Sequence, residues 1–190
     1  EAALAGASDI VAGRIAEDEQ VRNELRRTFR REGVVCSKII RGKEAEGAKY
    51  ADYFDAASPL RTISSHRSRA MRRGEEEGFL RVGIDVDAER CIASLQRRVV
   101  RPGSPTRRWL EAAAADAFKR LLRPSIESEQ LAAAKERADD EAIGIFAGNL
   151  RQLLLAPPLG QKRVIALDPG YRTGCKVVVL DSQGSLLDHT

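Results

Sequence analysis

One carboxylate in the sequence has a context that suits metal chemistry. Asp168 ends the apolar run 164–167 and is followed by Pro169 and Gly170, with a second glycine, Gly174, four residues further on. A carboxylate at the end of a buried strand can hold a divalent cation, and glycine lets the backbone approach a phosphate closely. Asp168 is therefore the candidate metal ligand and catalytic acid, and both glycines are candidate phosphate-approach positions.

Asp168 cannot perform cleavage alone. Two-metal phosphoryl chemistry needs several converging carboxylates around ions that lie about 3.5–4 Å apart. Asp-Pro-Gly is also common turn chemistry, so the tripeptide by itself has a purely structural interpretation. The longer string of residues 167–176, placed between two apolar runs, is more specific.

Ten arginines fall into two short runs that contain no acidic residue. The runs cover residues 61–73 and 97–108, and their arginines are Arg61, Arg67, Arg69, Arg72, Arg73, Arg97, Arg98, Arg101, Arg107 and Arg108. The planar guanidinium fork matches the geometry of phosphate. These runs predict a nucleic-acid-binding surface, for RNA or DNA. The alternative is a solvated face whose acidic partners come from elsewhere in the fold.

The composition excludes several other classes of protein. The net charge of +4 is only mildly basic, and three widely spaced cysteines with two histidines do not suit a zinc site or a disulfide framework. Free cysteines fit the reducing cytoplasm, and no apolar run reaches the roughly 18 residues of a membrane span. We expect a cytoplasmic protein with no cofactor and no membrane partner; Mg²⁺ enters only if the protein is a nuclease.

Helical spacing of apolar residues dominates the first 156 residues. It predicts helices over 2–16, 19–32, 44–54, 65–73, 109–122 and 126–155. Asp18 and either Ser64 or Ser65 are expected N-caps, Gly33 and Gly74 are expected C-terminal stops, and Pro124 is expected to break the chain between the last two helices. Residues 34–40 and 79–86 are predicted to pair as a small two-stranded element.

The hydrophobic period changes after Pro157 and Pro158. Residues 162–190 are predicted to form an antiparallel strand–loop–strand–turn–strand meander. The first residue is Glu1, and both ends fall within predicted secondary structure, so we expect the chain to be a piece of a longer protein. Tyr50, Tyr53 and Phe54 are interpreted as packing residues, and Trp109 as a core or interface residue.

Several strings resemble one known family across almost the whole chain. They are RGKE at 41–44, EGAKY at 46–50, DYFD at 52–55, ISSHR at 63–67, EGFLRV at 77–82, RWL at 108–110, RADDEAI at 137–143 and NLRQLLLA at 149–156. Together they resemble the Tex family of bacterial transcription accessory proteins. Residues 164–190 resemble the start of the YqgF/RuvC-like branch of the RNase H-like fold.

The resemblance implies a mainly α fold. A helix-turn-helix-like region over 1–156, with its small β element, would be followed by a linker at 157–161 and by the truncated β-meander start of an RNase H-like α/β domain over 162–190. Tex-like proteins are cytoplasmic and modular, with helix-hairpin-helix elements and an OB-fold RNA-binding domain further along. The resemblance transfers Asp168 as the first acid of an RNase H-like metal site, whose other acids would lie on a later strand and helix.

Three functions remain open at this point. The first is a transcription accessory protein that binds nucleic acid, with RNA favoured, and does not cleave it. The second is a metal-dependent nuclease of the RuvC or RNase H type, with Asp168 as first ligand. The third is a module that docks on a protein of the transcription machinery. Whether the protein is an enzyme is therefore undecided, and we expect this chain alone to be inactive.

Overall fold

The computed structural model describes residues 2–170 and 174–190 and divides the chain into two compact units, Glu1–Ile145 and Phe146–Thr190. It is mainly helical with two small antiparallel sheets, which confirms the predicted fold class. The α-helices are α1 Ala2–Glu17, α2 Glu19–Glu32, α3 Ser65–Glu76, α4 Ala88–Val99, α5 Arg107–Asp116 and α6 Arg123–Leu154. The strands are β1 Val34–Ile39, β2 Asp55–Pro59, β3 Leu80–Asp85, β4 Val164–Gly170, β5 Gly174–Leu180 and β6 Leu186–His189. The unit boundary falls within α6.

The predicted boundaries of α2 are confirmed by its caps. The side chain of Asp18 accepts a hydrogen bond of 2.9 Å from the Val21 amide, and the Gly33 amide donates to the Phe29 carbonyl at 2.8 Å. Val21, Leu25 and Phe29 are buried at three- and four-residue steps, so one face of the helix enters the core.

The first sheet has three strands where the sequence predicted two. β1 lies in the middle, paired antiparallel with β3 as expected and with β2 on its other side. The strand β2 reads Asp-Ala-Ala-Ser-Pro, which has low β propensity, and it forms because β1 offers it a complete row of backbone partners. The helix predicted over 44–54 is reduced to the 3₁₀ segment Ala48–Tyr53.

Two glutamates bind the outer edge of β3. A carboxylate oxygen of Glu127 accepts a hydrogen bond of 2.6 Å from the Ile84 amide, and Glu75 accepts one of 3.3 Å from the Val82 amide. Gly83 lies between these amides, and a Cβ there would be 2.8 Å from Glu127 Oε1. The missing side chain therefore lets α6 approach the strand.

The prediction that Pro124 breaks the helix is wrong. Helical structure continues from α5 through the π-helical segment Ala117–Leu122 into α6. In the wide π turn the Arg123 amide donates to the Phe118 carbonyl, five residues back. We attribute the continuity of the helix to this change of hydrogen-bond register. It places Pro124, which has no backbone N–H to donate, in the first turn of α6.

The prediction that Gly74 ends α3 is wrong. The helix continues to Glu76, and Gly78 makes the following turn with φ of 77°. Gly74 is buried, and a Cβ there would lie 2.6 Å from Leu80 Cδ1. It is a close-packing position between α3 and β3. Of the two serines expected to cap the same helix, Ser64 is the one that does so, because its hydroxyl accepts a hydrogen bond from the Arg67 amide.

The second unit contains the predicted antiparallel meander in the order β4–β5–β6. Val164 pairs with Leu180 and Gly170 with Gly174, so the two strands run alongside each other over their whole length. Among the described helices, none is both long and apolar enough to cross a membrane.

Candidate nucleic-acid interface

Asp168 lies on β4, directly opposite Lys176 of β5. Two other carboxylates of the meander are placed elsewhere. Asp181 follows β5 beyond its Val164-paired end, and Asp188 of β6 pairs with Val179, which itself pairs with Ile165. Within residues 2–170 and 174–190, no three His, Cys, Asp or Glu side chains come together as a potential metal site. The described donor set at Asp168 does not fit a magnesium ion.

The two candidate phosphate-approach glycines face each other. Gly170 and Gly174 are register partners at one end of the β4–β5 pair, and Gly174 has a φ of 85°, which favours glycine. Tyr171, Arg172 and Thr173, which belong to the same motif, lie outside the described residues.

The first arginine run is partly engaged in ion pairs within the fold. Arg69 Nε lies 3.7 Å from Asp139 Oδ1 of α6, and Arg72 pairs with Glu75 on its own helix. Arg72 Nε is buried and has no hydrogen-bond partner. By contrast, Arg61, Arg67 and Arg73 are exposed, and no described carboxylate pairs with them.

The second run is more open. Arg97 and Arg98 occupy the last turn of α4, where a positive charge also suits the helix dipole. Arg101 lies in the following loop, and Arg107 and Arg108 begin α5. All five are exposed.

Few of these five arginines have a partner within the fold. Arg107 pairs with Glu111 at 2.8 Å, and Arg98 donates to the amide oxygen of Gln20. For Arg97, Arg101 and Arg108, the described part of the chain provides no carboxylate within ion-pair distance. The solvated-face interpretation, which requires acidic partners, therefore applies better to Arg69 and Arg72 than to this run.

A cavity of about 750 Å³ lies where α4, the loop and α5 meet. Arg97, Arg101 and Arg107 line it, together with Arg90 from the first turn of α4. Sequence reasoning missed Arg90, because it stands outside both runs and beside Glu89. The signal was its seven-residue separation from Arg97, which places both on one face of a helix.

Two arginines of α2, Arg22 and Arg26, differ from those of the second run because both are bound to a carboxylate within the fold. Glu129 of α6 receives hydrogen bonds from Arg26 at 2.7 Å and from Arg22 at 2.6 Å. The bond from Arg26, followed by that from Arg22, lowers the pKa of Glu129 to about 2. These two guanidinium groups join α2 to α6 and are not available to a ligand.

The aromatic residues divide between packing and exposure. Tyr50 is buried, with its ring centroid 6.0 Å from that of Phe79, which agrees with its interpretation as a packing residue. Trp109 is 56% exposed, so the interpretation of this residue as a core residue is wrong.

Comparison with known proteins covers the chain from end to end. The Tex central region-like family matches residues 1–146, and the Tex protein YqgF-like domain matches residues 162–190. Protein tex of Bordetella pertussis is 40% identical over 202 residues, which cover 99% of this chain and 26% of that protein. Transcriptional accessory protein Tex of Neisseria gonorrhoeae is 37% identical over 194 residues, which cover 99% of this chain and 26% of that protein.

A more distant relative comes from outside the bacteria. S1 RNA-binding domain-containing protein 1 of Homo sapiens is 30% identical over 201 residues, covering 97% of this chain and 20% of that protein. The chain thus spans about a quarter of the length of the bacterial relatives that it matches. With one family model covering well over half of its residues, the chain belongs to the Tex family.

Proposed function

We propose that this chain is the phosphate-contacting part of a cytoplasmic transcription accessory protein that binds nucleic acid, with RNA favoured, and does not cleave it. The observation that carries the proposal is the second arginine run. Arg97, Arg101 and Arg108 are exposed and no described carboxylate pairs with them. Guanidinium groups left free of carboxylates are available to phosphate oxygens.

The printed names of the relatives support the same class of ligand. One is called a transcriptional accessory protein, and another is named for an S1 RNA-binding domain. Exposed arginines at Arg61, Arg67 and Arg73 add a second basic surface in the first unit.

Salt dependence tests the proposal directly. Fluorescence anisotropy of the full-length protein with labelled RNA and DNA of about 12 nucleotides would be recorded between about 50 and 200 mM salt. We expect a plot of log affinity against log salt concentration with a steep negative slope, and tighter binding of RNA than of DNA. Absent or salt-independent binding would remove the proposal.

A second candidate function, docking on a protein of the transcription machinery, is favoured by one observation. The part of α6 that belongs to the second unit exposes large apolar side chains, among them Phe146 at 67%, Leu153 at 74% and Leu154 at 75%. Exposed apolar surface often marks protein interaction sites. Protein binding that is insensitive to salt and is lost on Phe146→Ser, with nucleic-acid affinity unchanged, would favour this function.

A further inference from the structure

A second cavity lies beside the one at α4 and α5. It has a volume of about 320 Å³ and lies between α2 and α4, where Arg27 and Arg31 of α2 face Arg90 and Arg97 of α4. Since Arg90 and Arg97 line both cavities, the two lie side by side along α4. We call this surface the arginine groove, defined by Arg27, Arg31, Arg90, Arg97, Arg101 and Arg107.

The helices distribute these cations along the groove. Arg27 and Arg31 are four residues apart, which is about 6 Å along α2, and Arg90 and Arg97 are seven apart, which is about 10.5 Å along α4. Arg101 and Arg107 then extend the series through the loop to α5. A linear ligand lying in the groove would meet a cation at intervals along its length.

The groove carries excess positive charge. Arg31 and Arg90 share one carboxylate, Glu32, at 2.6 Å and 3.0 Å, and Arg107 pairs with Glu111. Glu24 also lines the second cavity, where its carboxylate accepts from the Ser94 hydroxyl. Six guanidinium groups therefore meet three carboxylates, and among the described residues Arg27, Arg97 and Arg101 have no carboxylate partner.

We propose that the arginine groove binds the sugar-phosphate backbone of a single-stranded nucleic acid, a site that rests on the proposed function and makes it specific. A concave, arginine-lined surface can track the backbone of a flexible single strand. The residues that line the two cavities include no aromatic side chain on which a base could stack. Binding in the groove is therefore independent of base sequence.

Sharing of Glu32 makes the groove adaptable. One carboxylate cannot satisfy both Arg31 and Arg90 with two-pronged geometry, so an arriving phosphate can take over one of them without leaving a carboxylate unpaired. The cost of exchanging partners is small at an exposed site.

Paired substitutions in the full-length protein test the inference. Arg97→Gln with Arg101→Gln removes one end of the groove, and Arg27→Gln with Arg31→Gln removes the other. For single-stranded RNA, each double variant should reduce the salt slope by about 1.4, because each lost phosphate contact removes about 0.7. At about 100 mM salt the affinity should fall by about tenfold.

The matched control is Arg41→Gln with Arg81→Gln. It removes the same charge from two exposed arginines that line neither cavity. Affinity should change by less than about twofold if local contacts dominate over net charge. Thermal melting of every variant checks folding, and Arg97→Lys with Arg101→Lys should keep most of the slope because it keeps both charges.

The outcomes distinguish a failure of this inference from a failure of the proposed nucleic-acid-binding function. If the parent protein binds single strands with a steep slope and the groove variants bind equally well, the groove is excluded and the proposed function stands. If the parent shows no salt-dependent binding, both are overturned. Tighter binding of duplex than of single strand, or displacement of RNA by polyglutamate at equal charge, would overturn the assignment of the ligand.

Discussion

Asp168 and Lys176 lie directly opposite each other on the antiparallel strands β4 and β5. Directly opposed residues in such a pair project from the same face of the sheet, so a carboxylate and an ammonium group are neighbours there. On the β5 side, Asp168 therefore has a positively charged residue as its cross-strand neighbour and not a second carboxylate.

This relationship underlies our prediction that the 190-residue chain does not cleave nucleic acid. Purified chain would be incubated with Mg²⁺ or Mn²⁺ and single-stranded, duplex and branched substrates, and the products would be separated on denaturing gels. We expect intact substrate, because metal-assisted cleavage needs converging carboxylates and the described residues bring none to Asp168. Reproducible cleavage that disappears on Asp168→Asn would contradict this and would favour the nuclease alternative.

Arg69 and Arg72 should contribute more to stability than to binding. Arg72 is partly buried and paired with Glu75, and Arg69 lies beside Asp139. Arg69→Gln with Arg72→Gln should lower the free energy of unfolding by about 1 kcal/mol and the melting temperature by about 3 °C. The comparison is Arg61→Gln with Arg67→Gln, which should leave melting unchanged and weaken nucleic-acid binding. A reversal of these two effects would return Arg69 and Arg72 to the binding surface.

Glu129 should make the first unit sensitive to acid. Its pKa in the folded protein is about 2, against an ordinary value of 4.5, so the carboxylate stabilises the fold fully above pH 4.5 and loses that effect as the pH falls toward 2. Glu129→Gln should cost about 1–2 kcal/mol at neutral pH, allowing for screening of a side chain that is more than a third exposed.

Urea unfolding at several pH values measures this effect. The difference between the parent and Glu129→Gln should be constant above about pH 6 and should shrink steadily below pH 4.5. Glu136→Gln serves as the control, because Glu136 is exposed and pairs with no described cation. A difference that stays constant with pH would show that the hydrogen bonds from Arg22 and Arg26 do not depend on the charge of Glu129.

Two of the three cysteines, Cys91 and Cys175, should react with thiol reagents at very different rates. Cys91 is buried, and burial, followed by the nearby carboxylates of Asp87 and Glu32, raises the pKa of its thiol to about 11. Cys175 is exposed. At pH 8 we expect rapid labelling of Cys175 and no labelling of Cys91 until the first unit unfolds. Cys175→Ser should abolish the fast phase, and early modification of Cys91 would argue against the described packing of α4.

The elements that the sequence predicted well are those whose signals are local. The cap at Asp18, the serine cap of α3 and the alternation in β3 each depend on neighbouring residues, and each is present in the structure. Strand β2 and the continuity across Pro124 were missed because they depend on distant partners and on a change of helical register.

Only part of the candidate site could be predicted from the sequence. Runs of arginine are visible in one dimension, but whether a guanidinium group is free depends on carboxylates that the fold brings from far away. Asp139 reaches Arg69 across 70 positions of sequence, and Arg90 joins Arg97 only through helical geometry. The sequence could therefore indicate the phosphate-binding residue type, but not the groove.

The glutamates that bind the outer edge of β3 have a consequence for association between molecules. An exposed strand edge is a template on which another chain can add a strand, and this is a common route to aggregation. At β3 an incoming strand would have to displace Glu127 from the Ile84 amide and Glu75 from the Val82 amide. The side chains of α3 and α6 thus cover two backbone donors at that edge, and β-augmentation of the sheet is disfavoured while both carboxylates remain in place.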